Sequence, residues 1–152
     1  MPINPLAAAK ELAARSDWKL SNLELQKILF LSQMFYMGHN DGLPLIEGAF
    51  EAWDYGPVHP LVYHRLKVFG REPVRNVFRS VDEIKDHEKA EFLAGAYDSM
   101  KDFPPSRLVA ITHMADGAWD NNYVPGRRGI VIPNEDIMNE YKLRATRVDR
   151  AD

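Results

Sequence analysis

The chain has 152 residues, 45% of them hydrophobic and 27% charged, with a formal net charge of −3. Those values describe one globular domain able to bury roughly 70% of its unfolded surface, and they argue against a protein that coats nucleic acid. The absence of cysteine removes disulfides, thiol nucleophiles and zinc–thiolate sites, and fits a reducing cytoplasm.

Asn4-Pro5 reads as a cap and first helical turn, opening a helix to about Arg15. The amphipathic start carries acids and lacks a long apolar run, so it is no secretory signal, and no segment approaches the ~18 apolar residues of a membrane span. Ser21-Asn22-Leu23-Glu24 is a capping box that opens a second helix, which stops near Gly38-His39-Asn40. Leu25, Ile28, Leu29 and Tyr36 share one face, while Leu23, Phe30, Met34 and Met37 fill much of the other. Mainly Gln26 and Gln33, with the charges of Glu24 and Lys27, interrupt the apolar surface. A helix apolar nearly all round is a central one.

Past the turn-rich NDGLPLIEG, the stretch AFEAWDY alternates as a short strand, with Trp53 on its buried face. Gly56 and Pro57 make a corner. A helix follows over about Pro60–Phe69, with Val62, Leu66 and Phe69 on one face. EPVRNVF reads as a second strand pairing with the first. Residues 81–102 read as a helix ended by Pro104-Pro105. Ser106 caps another, DGAWDNNY makes a turn or short helix, and PGRRGIVIPN is a loop with one extended piece. Asn134 caps a last helix to about Leu143, leaving 144–152 as a polar, mobile tail. The expected fold is mainly α: a single helical domain around a central buried helix, with a small two-stranded β element.

Enzyme signatures are missing: no His-Glu-x-x-His, Gly-x-Ser-x-Gly, P-loop or dinucleotide fingerprint occurs. His59 and His64 diverge by about 140° on a helix, a poor metal pair. His113 fits a satisfied core histidine better than an acid–base residue. No cofactor or metal site is expected. His59, Tyr63 and Lys67 form an i, i+4, i+8 stripe opposite the apolar face, an interface rather than a core. Beside it Arg65, Lys67, Arg71, Arg75 and Arg79 stand against the single acid Glu72. That patch suits an acidic protein ahead of DNA.

Taken together these residues resemble the Panacea antitoxin domain family, which has SocA-like and phage-associated GepA-like members. The resemblance runs through Leu25-Gln26-Lys27, Phe30, Pro44-Leu45, Ala52-Trp53, Tyr55-Gly56-Pro57-Val58 and Tyr63. It continues at Leu108, Thr112-His113, Trp119 and Ile132-Pro133, covering residues 5–143. Asp116-Gly117-Ala118 departs from it, since many relatives carry a proline before the tryptophan. The resemblance implies a non-enzymatic cytoplasmic antitoxin that neutralises a protein toxin encoded beside it. For the SocA-like branch it implies a proteolytic adaptor that delivers the toxin to the ClpXP protease. His59, Tyr63, Lys67, Arg65 and Arg71 are the candidate partner-binding residues. Gln26, Trp53, Tyr55, Gly56, Pro57, His113 and Trp119 form the structural motif. Two other readings stay open: a DNA-binding autoregulator of its own operon using Arg65 to Arg79, and a hydrolase or transferase using His113 with Asp116 or Asp120.

Overall fold

Ser21 caps the helix around which the rest of the chain is arranged. Its hydroxyl accepts the Glu24 amide and the Glu24 carboxylate accepts the Ser21 amide, both at 3.2 Å, which closes the expected capping box. The computed structural model describes residues 1–151, with side chains through residue 147. Among them are helices α1 (Pro5–Arg15), α2 (Asn22–His39), α3 (Pro60–Leu66), α4 (His87–Met100), α5 (Pro105–Thr112), α6 (Ala118–Asn122) and α7 (Asn134–Ala151). Three short strands, β1 (Phe50–Trp53), β2 (Gly56–Val58) and β3 (Val131–Ile132), form an antiparallel sheet of order β2-β1-β3. The fold is mainly α.

The central helix is α2, as its composition predicts. Leu25, Ile28, Leu29, Phe30, Leu31, Met34 and Met37 are all buried, and α1, α3, α4, α5, α7 and β2 pack on it. Polar residues on such a helix must find partners inside the protein. Gln33 accepts the Leu45 and Ile46 amides at 2.8 and 2.9 Å, which pins the turn-rich loop onto the helix. The cap of α1 forms as expected, with Asn4 accepting the Leu6 amide at 2.8 Å.

Several boundaries differ from the sequence expectation. The EPVRNVF segment is not a strand; Pro73 offers no amide to a ladder, and Asn76 turns back to accept the Phe78 amide at 3.0 Å. The edges of β1 are taken instead by β2, through a tight hairpin, and by β3. Residues 81–86 stay irregular, because Asp86 caps α4 by accepting the Lys89 amide at 3.2 Å. Ser106 lies inside the first turn of α5, whose cap position is Pro104. At the last helix the Pro133 carbonyl, not Asn134, opens the hydrogen-bond series. That helix continues to Ala151 rather than ending near Leu143. Arg144 supports the continuation by pairing with buried Glu140 at 2.8 Å and donating to the Ile111 carbonyl at 2.7 Å. Asp152 lies outside the described residues.

Candidate functional site

The hairpin between β1 and β2 turns over Asp54 and Tyr55, and Gly56 leaves it with φ of 113°, a conformation that glycine accepts most easily. Space demands glycine here too. A Cβ at this position would sit 3.0 Å from the Thr112 hydroxyl and 3.1 Å from the Lys27 amine. That amine is fully buried beneath the corner and donates to the Pro57 carbonyl at 3.0 Å. Burial lowers its pKa to about 7. The neighbouring Gln26 accepts the His59 amide at 2.7 Å and donates to Asn22 at 3.1 Å. Two adjacent residues of α2 therefore grip the backbone that leaves the turn, at Pro57 and His59.

A column of rings backs the hairpin. Trp119 donates its indole N–H to the Trp53 carbonyl at 2.7 Å and lies stacked between His113 (3.8 Å) and Tyr123 (4.5 Å). Tyr123 in turn donates its hydroxyl to Asp54 at 2.6 Å. That bond, with a second from the Gly126 amide, holds the Asp54 carboxyl below its usual range. Burial lowers the pKa of His113, opposed by its bond to the Tyr55 backbone, and its Nε2 has no hydrogen-bond partner among the described residues. Trp53 is buried and donates to Glu51 at 2.9 Å. Tyr63 meets its ring edge-on at 4.7 Å, while the Arg128 guanidinium covers the ring at 4.2 Å.

Beside this corner opens a cavity of about 340 Å³, lined by Gln26, Lys27, Trp53, Tyr63, Arg127 and Arg128 among others. A second, of about 480 Å³, is lined by Leu23, Glu24, Tyr55, Arg71 and Pro105. Leu23, Tyr55 and Gly70 border both, so the two form one trough.

The candidate residues divide. His59 is not on an exposed stripe: it is 4% exposed, bonds the Glu47 carbonyl through Nε2 at 2.9 Å and meets Phe50 edge-on. The helical spacing fails because α3 begins at Pro60, so His59 occupies the extended cap position and turns back against the sheet. Its pKa is lowered by burial. Tyr63 is half-buried on Trp53, and Lys67 remains exposed. Tyr55, expected to share a strand with Trp53, is 71% exposed, because the strand stops at Trp53 and Tyr55 falls in the turn.

The basic residues border different hollows. Arg65 donates to the Val77 carbonyl at 3.0 Å and borders one with Asp82, Glu83 and Asp86. Arg71 lines the trough, and Arg75 lines a hollow with Trp18. Gln26, Trp53, Gly56, Pro57, His113 and Trp119 do come together at the corner. Arg127, Arg128 and Tyr123 escaped the sequence reading; the two arginines between glycines in PGRRG were the available signal.

The departure at Asp116-Gly117-Ala118 has a structural partner. The Ala118 amide donates to buried Glu140 at 2.8 Å, and a Cβ at Gly117 would lie 2.5 Å from that carboxylate. Among the described residues no three His, Asp or Glu side chains are placed to hold a metal ion, and no helix is long and apolar enough to cross a membrane.

The family profile described as antitoxin SocA-like, Panacea domain, matches residues 25–120. Antitoxin SocA of Caulobacter vibrioides is 33% identical over 118 residues, which cover 71% of this chain and 62% of that relative's length. No solved structure matches. The profile match takes in the corner from Gln26 to Trp119 and stops short of the Arg127-Arg128 loop.

Proposed function

The chain belongs to the SocA-like Panacea antitoxin family, and from that membership we propose that it binds and neutralises a protein toxin encoded beside it. One observation carries the reading beyond membership. Gln26, Trp53 and Tyr55 of the motif line an aromatic trough whose rim is rich in arginine, a composition typical of the anchor points of protein interfaces.

It acts by contact rather than by catalysis. His113, the strongest candidate base, is stacked flat on Trp119, and its buried Nε2 meets neither a nucleophile nor a carboxylate. Asp120 is engaged in accepting the Asp116 amide at 3.0 Å. In the cytoplasm the bound toxin is then handed to the ClpXP protease, the adaptor role that the SocA-like resemblance implies.

Co-expression of the adjacent gene with and without this protein tests the first step. Growth arrest by the neighbour alone, relieved by this protein, is the expected result; a harmless neighbour, or toxicity that persists, rejects it. Toxin half-life in cells with and without ClpX separates delivery from simple sequestration. A half-life indifferent to ClpX rejects the adaptor role alone.

A further inference from the structure

We infer that the trough takes an extended acidic segment of the partner protein, with one aliphatic side chain seated against Trp53 and Tyr63. Flanking carboxylates of that segment pair with Arg71, Arg127 and Arg128. The antitoxin reading supplies the identity of the partner, not the chemistry of the trough.

The three guanidinium groups make no hydrogen bond or ion pair with any described residue, yet all border the same trough. Other arginines are engaged: Arg15 pairs with Asp98 at 2.7 Å, Arg144 pairs with Glu140 at 2.8 Å, and Arg65 bonds the Val77 carbonyl at 3.0 Å. Arg128 also lies near Asp54, but makes no hydrogen bond to it; the Tyr123 hydroxyl and the Gly126 amide both bond Oδ1 of that carboxylate. The cations of the rim are therefore left to a partner, and guanidinium groups match carboxylates in forked geometry. Between them the walls are largely apolar and aromatic, through Leu23, Trp53, Tyr55, Val58, Tyr63 and Pro105, with Glu24 and Asp54 the acids among the lining residues. At about 340 and 480 Å³ the two parts lie within the ~300–1,000 Å³ of ordinary binding pockets.

Single-stranded nucleic acid also uses aromatic platforms between cations, but it needs free ring faces. Here Arg128 covers the Trp53 face, and Trp119 is enclosed between His113 and Tyr123. Aliphatic and carboxylate groups suit what remains better than a stacked base does.

Fluorescence polarisation tests the trough directly. The probes are a dye-labelled hexapeptide of glutamates around one leucine, its lysine counterpart and labelled oligothymidylate. The glutamate peptide should bind, the lysine peptide should not, and R127E/R128E, which stays folded by circular dichroism, should weaken binding by at least about tenfold. K142E, an exposed change on α7, should leave binding intact. Equal binding of both peptides, tighter binding of oligothymidylate, or a dimer of the chain that R127E/R128E dissolves would each overturn the proposal. Calorimetric titration with the adjacent gene's product separates the two readings. Toxin bound equally well by wild type and R127E/R128E refutes the trough while the antitoxin reading stands. Toxin ignored by wild type, with peptide discrimination intact, refutes the antitoxin reading alone.

Discussion

Replacing Lys27 by methionine should stabilise the protein at pH 7 and destabilise it near pH 10.5. Burial lowers the amine from 10.5 to about 7, so the unfolded chain holds the lysine proton more tightly than the folded one does. Because the folded value lies below the unfolded one, the penalty is complete below pH 7 and fades as pH rises toward 10.5. At ~1.4 kcal/mol per pH unit the penalty is about 5 kcal/mol in acid and about 4 kcal/mol at neutrality. Methionine fills nearly the same volume without a charge. It forfeits the bond to the Pro57 carbonyl, and a stranded buried acceptor costs about 1–3 kcal/mol. The variant should therefore gain about 1–3 kcal/mol at neutrality and lose about 1–3 kcal/mol where the lysine is neutral in both states. Urea unfolding followed by circular dichroism across this range measures both proteins. The difference between them cancels the titration of Tyr97 and Tyr123, whose pKa values are raised in either protein. A difference that does not change with pH, or a variant less stable at pH 7, would refute the reasoning.

Gln33→Ala should cost about 2–4 kcal/mol in a denaturant melt, since it strands the buried Leu45 and Ile46 amides together. Gly56→Ala should cost about 1–3 kcal/mol, from a φ of 113° and a methyl placed against Lys27 and Thr112. A thermal melt within experimental error of wild type would show that the corner yields. Trp53→Ala should cost about 3–5 kcal/mol, removing a buried ring that supports Tyr63 and Arg128. A neutral result in the same melt would place that ring outside the core.

The parts legible in the sequence are those set by local chemistry. The capping box at Ser21, the Asn4 cap and the nearly all-apolar surface of α2 each need only a few neighbouring residues to be recognised. The grouping of Gln26, Trp53, Gly56, Pro57, His113 and Trp119 was legible through the family resemblance, since the rings meet across large sequence separations. What escaped was set at a distance. His59 turned inward because the helix start fell one residue after it, which periodicity does not resolve. The partners of β1 were a tight hairpin and a two-residue strand far along the chain, neither of which alternates long enough to announce itself. Lys27 stood in the sequence only as a charge interrupting the apolar surface of α2, and its burial was not legible because burying a lysine without a counter-charge is costly and rare.

The two buried glutamines of α2 also set how the protein breathes. Leu45, Ile46 and His59 lie outside regular helix or strand, yet their amides bond to side chains rooted in the most enclosed helix of the fold. Loop amides ordinarily exchange with solvent through small local openings. Here the 43–46 turn and the 57–59 corner can open only when Gln33 or Gln26 lets go. The corner that carries Val58 of the trough wall thereby inherits the slow exchange of a core helix, and on that side a partner meets backbone already ordered before contact.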